Sequence, residues 1–143
     1  MTYGQPYVGT DHSPTVLRQN GLVQHLESLS WHVEDGPDLE FDVDTPDEPA
    51  FPGGKAKNHR KVGAGGKQVA EAVSNKMQSG RFPLVLGGDH SIGAGTLAGV
   101  LKHAPDTGVL WIDAHADLNT PWISESGNMH GMPLCCVLGE DNK

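Results

Sequence analysis

Cysteine is nearly absent: the only two, Cys135 and Cys136, are neighbours in the chain. Adjacent cysteines rarely close a disulfide, so no disulfide framework is expected and a reducing compartment is favoured. Positive charge is scarce too, with ten Lys and Arg against eighteen Asp and Glu and a net charge of −8. A general nucleic-acid binder needs a basic footprint, which is missing here. No apolar run approaches the roughly 18 residues of a membrane-spanning helix. Met1 to Pro6 has neither the basic start nor the apolar core of a secretory signal. The expected compartment is the cytoplasm, with the mitochondrion as the alternative. What remains is a chain of 143 residues with 19 Gly and 10 Pro, too loop-punctuated for a coiled coil and too varied for low-complexity disorder. That length suits one domain or part of one.

The negative charge is concentrated. Glu34, Asp35, Asp38, Glu40, Asp42, Asp44, Asp47 and Glu48 fall in one stretch without Lys or Arg, interrupted by Pro37 and Pro46. It reads as a solvated loop. Asp42-x-Asp44 lacks a neighbouring His or second ligand pair, so a cation site there is not expected.

Ser13-Pro14 with Val16, Leu17, Leu22, Val23 and Leu26 predicts one helix to about Leu29, capped by Ser13. Trp31-His32-Val33 suits a short strand. Gly53 to Lys61 reads as a basic surface connector without phosphate-loop spacing. Val69, Ala70, Ala72, Val73 and Met77 mark a helix stopping at Ser79-Gly80. Phe82–Leu86 and Gly108–Ile112 read as buried strands around a helix from Ser91 to His103, whose glycines allow close packing against a sheet. Strand, helix, strand at this spacing predicts a βαβ unit with parallel strands and an α/β fold. In such sheets, sites form at the carboxyl ends of strands.

Those ends carry the chemistry. The first ends in Asp89-His90 and the second in Asp113-Ala114-His115-Ala116-Asp117. In extended chain alternate residues share a face, so Asp113, His115 and Asp117 are expected to converge, with His90 beside them. Such a set is expensive without a cation, and carboxylate with imidazole and no thiolate suits Mn²⁺, Fe²⁺, Co²⁺ or Zn²⁺, a carboxylate majority leaning to Mn²⁺. Downstream, Asn119, Ser126 and Asn128 offer hydrogen bonds to a polar substrate, and His130 can move a proton near neutral pH.

Leu86-Gly87-Gly88-Asp89-His90-Ser91-Ile92 and Trp111-Ile112-Asp113-Ala114-His115-Ala116-Asp117 resemble the two upstream signatures of the ureohydrolases. Leu118-Asn119-Thr120-Pro121 and Ser126-Gly127-Asn128-Met129-His130-Gly131 resemble the arginases within that family, as do Gly4-Gln5-Pro6 and Gly21-Leu22. The resemblance implies a three-layer α/β/α fold with a parallel sheet, here partial and truncated. It implies two manganese ions in a complete site, His90 on one and His115 on the other, Asp113 bridging and Asp117 completing the first set. Asn119 and Ser126, with Gly127 and Asn128 nearby, would hold an amino acid's α-carboxylate. His130, with Asp117 in the catalytic set, would serve as proton shuttle. The implied reaction is attack by a metal-bridging hydroxide on the guanidinium carbon of L-arginine, giving L-ornithine and urea, in a homotrimer. Arginases carry, further along, an Asp-x-Asp-x-x-Asp-Pro segment and a guanidinium-contacting Glu; this sequence reaches Lys143 without them, and the family's opening strand is also missing. Residues 1–143 are therefore expected to be a partial catalytic domain, lacking the opening strand and the C-terminal half and inactive alone. The competing readings are an agmatinase-like ureohydrolase and a non-catalytic truncated chain. Asn119 and Ser126 favour arginine, because its free carboxylate needs them.

Overall fold

A computed structural model describes residues 1–41 and 53–139. The Asp42-x-Asp44 pair and the rest of the acidic stretch beyond Phe41 lie outside them. Among the described residues five helices follow in order: α1 (Ser13–Gln19), α2 (Leu22–Ser28), α3 (His59–Gln78), α4 (Ile92–His103) and α5 (Pro133–Leu138), with 3-10 turns at Thr10–His12 and Met129–Gly131. None of the described helices is long and apolar enough to cross a membrane.

The single helix expected from Ser13 to Leu29 is two. Gly21 takes φ +84°, a left-handed conformation that glycine adopts without steric cost, and the chain turns there. Ser13 does not cap from outside; it is the first helical residue, with Pro14 next. The helix expected around Val69–Met77 is much longer, because α3 already begins at His59 inside the supposed connector. It stops where expected, with Gly80 at φ +74°. α4 matches the expected span to within one residue.

The core sits between α3 and α4. Val62, Val69 and Val73 are buried on α3, and Met132 and Cys135 close one end beside α5. Two of the α4 glycines, Gly95 and Gly99, pack against a helix, while Gly93 abuts Trp111 of the 108–112 segment. A Cβ on Gly95 would lie 2.5 Å from the Gly66 carbonyl oxygen of α3, and one on Gly99 would lie 2.6 Å from that of Ala70.

No strand is formed among the described residues, at Trp31–Val33, Phe82–Leu86 or Gly108–Ile112. A buried parallel strand needs neighbours on both edges and cover on both faces. Here Phe82, Leu110 and Ile112 are 77%, 84% and 87% exposed, so that cover is absent. The two segments still flank α4 and deliver their ends to one place.

The described part of the acidic stretch is solvent-facing yet paired. Arg18 reaches Asp35 and Asp38, each at 2.9 Å, and Glu34 takes Lys76 and, at 3.5 Å, Arg81. The Lys76 hydrogen bond, then the charges of Lys76 and Arg81, hold the Glu34 carboxyl below the usual carboxylate range. Exposed pairs are screened and contribute little. Arg18→Ala is therefore expected to lower unfolding stability by no more than about 1 kcal/mol in urea denaturation; a much larger loss would show that α1 depends on this pair.

Candidate metal centre

The turn before α4 is built around Asp89, which is 5% exposed. Its two oxygens accept from the backbone N–H of Gly4 at 2.9 Å and of Ser91 at 2.8 Å. This fixes the next residue, His90. The His90 ring stacks on Trp111, with centroids 4.6 Å apart and planes 21° from parallel. Trp111 thus limits the directions in which the imidazole can point. His90 Nδ1 lies 2.7 Å from Asp117 Oδ2 and 3.0 Å from Asp113 Oδ2.

The two carboxylates meet, but not by strand alternation. Asp117 sits at φ +51°, in the left-handed region, which breaks the extended chain. Asp113 folds back on its own segment, its Oδ1 accepting from the His115 backbone N–H at 2.8 Å. That hydrogen bond, followed by the His90 and His115 charges, lowers the Asp113 pKa against the opposing effect of desolvation. The carboxylate spans both imidazoles, with Oδ2 toward His90 and Oδ1 at 3.5 Å from His115 Nδ1.

His90, Asp113 and Asp117 each offer a ligand atom, and these atoms lie within 4.8 Å of one another. His115 stands outside that group, with its side chain 82% exposed. The donor set is two carboxylates and one imidazole, with Asp117 buried, so it fits a hard divalent cation. A cleft of about 370 Å³ opens over Gly88, Asp89, His90 and Asp113. A larger cavity of about 970 Å³ lies between α2, α3 and the 82–86 segment and adjoins this cleft at Val85, Gly88 and Ile92.

The downstream loop returns alongside. The Asn119 backbone N–H donates to Gly131 O at 3.1 Å and that of Leu134 to Asp117 O at 3.1 Å. His130 is part-buried and tied to Gly4, while Asn119 and Ser126 are exposed. Ser126 Oγ accepts from the Asn128 backbone at 3.2 Å. Gly127 is buried at φ +70°, where a Cβ would lie 3.0 Å from Lys55 Cβ, so it shapes the loop. Sequence reasoning missed what holds this loop: Lys57 N–H donates to Gly127 O at 2.8 Å, and Lys55 Nζ to Glu125 O at 3.3 Å. The polar composition of that segment carried no signal of it. Of the cysteines, Cys135 is buried and Cys136 is exposed.

Residues 1–142 match the family model for the Arginase family. The chain belongs to the arginase family. It is 44% identical to human arginase-1 over 137 residues, covering 96% of this chain and 42% of that protein. Against the Bacillus caldovelox arginase it is 44% identical over 150 aligned positions, 97% of this chain and 46% of the relative. The crystal structure of the B. caldovelox arginase overlays with a TM-score of 0.85. An Entamoeba histolytica arginase crystallised with L-ornithine overlays at 0.73 with 35% identity, over 97% of this chain and 46% of that one. This arginase-family chain thus spans less than half the length of these relatives, and its fold class is the α/β class of its neighbours.

Proposed function

We propose that this chain contributes the His90, Asp113, Asp117 and His115 portion of a two-manganese active site that hydrolyses L-arginine to L-ornithine and urea. The observation that carries the reading is the convergence of His90 Nδ1 on both carboxylates, with Asp113 reaching His115 through its other oxygen. The L-ornithine bound to the E. histolytica relative supports the product class. His90, Asp113 and Asp117 would hold one ion, and Asp113 with His115 the other. Bound there, the metal would supply Lewis acidity and bring the pKa of a water toward neutrality.

The protein's own groups do the rest. Asp113 and Asp117 balance the charge of a cationic, planar guanidinium. Asn119 and Ser126, with Gly127 and Asn128 shaping the loop, bind the substrate's α-carboxylate by hydrogen bonds. His130 carries the proton that reaches the departing amine. The extended segments 82–86 and 108–112 are the strands of the parallel sheet in the complete fold, and the complete protein is a homotrimer.

Two metals want about six or more protein ligands at ordinary coordination numbers. The 143-residue chain is therefore expected to bind Mn²⁺ yet release urea no faster than a metal-only blank; robust turnover would overturn its incompleteness. Substituted for the matching region of the B. caldovelox arginase, it is expected to give Mn²⁺-dependent urea release from L-arginine but not from agmatine. The opposite preference would overturn the substrate assignment.

A further inference from the structure

His130 and Gly4 are 126 residues apart, yet the Gly4 carbonyl receives two contacts from His130. The His130 backbone N–H donates to it at 3.0 Å, and ring Nδ1 lies 3.0 Å from the same oxygen. A carbonyl oxygen only accepts, so Nδ1 must carry a hydrogen. In the neutral ring the other nitrogen, Nε2, then holds the lone pair.

Gly4 is itself held hard. It is buried, and its N–H donates to Asp89 Oδ2 at 2.9 Å. A Cβ on Gly4 would fall 2.5 Å from Asp89 Oδ1 and 2.7 Å from Ser91 Cβ. Asp89 in turn is anchored to Ser91 and directly precedes His90. One residue, Gly4, therefore joins the turn that presents the metal-facing imidazole to the ring proposed above as proton carrier.

We infer that Gly4 is a positioning residue for His130: its carbonyl fixes the proton on Nδ1 and leaves Nε2 as the nitrogen that gains and loses a proton. The inference rests on the proposed shuttle role for its use, but not for its geometry. Because Nδ1 donates in both the neutral and the charged ring, Nε2 can be protonated and deprotonated without breaking the Gly4 bond or turning the ring. A free histidine side chain favours the opposite form, with the hydrogen on Nε2, so the two cases are spectroscopically distinct.

The test is a long-range proton–nitrogen correlation spectrum of the ¹⁵N-labelled 143-residue chain at a pH where the ring is neutral, with His130 assigned by its loss in His130→Gln. The expected result is a protonated Nδ1 and a bare Nε2. Hydrogen on Nε2 in the unsubstituted chain overturns the inference. The shuttle reading is tested separately: full turnover of the B. caldovelox chimera carrying His130→Gln would reject it while leaving the tautomer assignment intact.

Discussion

Asp117→Ala is expected to weaken binding of Mn²⁺ by at least about 100-fold, since loss of even an outer-shell partner typically costs 10–100-fold. Asp117 is the best-buried donor of the cluster and makes its shortest contact, 2.7 Å to His90 Nδ1. Without it, His90 faces one carboxylate, and that carboxylate is already engaged by the His115 backbone. Alanine also removes a residue type that tolerates the left-handed conformation at position 117. Asp117→Asn separates the two effects: it keeps the volume and the tolerance for positive φ and removes the charge and one ligand oxygen. Isothermal titration with Mn²⁺ on all three chains, with circular dichroism as the check on folding, gives the result. Unchanged affinity in a folded Asp117→Asn chain would remove Asp117 from the centre. His115→Ala should cost the isolated chain far less, because its ring is exposed and stands outside the three-residue group.

Much of this centre was legible in sequence because its residues lie at the ends of two short apolar segments around a glycine-rich helix. Local spacing brought His90, Asp113 and Asp117 to one place in the argument, and they are in one place in the fold. The means differ. Strand alternation cannot describe a segment in which Asp117 has φ +51° and Asp113 caps its own backbone. Nor does it foresee that His115 turns outward while the other donors turn in. The break at Gly21 was missed because apolar spacing continues across it, whereas the backbone does not. Contacts between distant positions left no local trace: Gly4 to Asp89, Gly4 to His130, and Lys57 to Gly127 depend on the assembled chain. The glycines of α4 were read as sheet-facing because a helix between two strands ordinarily packs on them. Gly93 does abut Trp111 of the 108–112 segment, but Gly95 and Gly99 face α3, whose own Gly66 gives the matching gap.

That gap sets the second large effect. Gly95→Val is expected to destabilise the chain by about 3 kcal/mol or more, the upper end of overpacking costs, out of a typical total of about 5–15 kcal/mol. A Cβ there would lie 2.5 Å from the Gly66 oxygen and 2.9 Å from its Cα. Both are backbone atoms, so no side chain can rotate away and the helices themselves must separate. Separation opens the contact that buries Val69 and Val73, and adds a cavity to the clash. Gly63 on α3 provides the contrast. It has nothing within 4 Å of an added Cβ, so Gly63→Ala should stabilise by about 0.5–1 kcal/mol through helix propensity alone. Urea unfolding of the two variants reads both signs, and a Gly95→Val chain within about 1 kcal/mol of the unsubstituted one would show that the helices part at little cost. The clash also reaches the metal centre. α4 begins at Ile92, two residues after His90, so pushing the helix from α3 displaces the imidazole from Asp113 and Asp117. Any Gly95→Val chain that stays folded should therefore bind Mn²⁺ more weakly, although position 95 contributes no ligand atom.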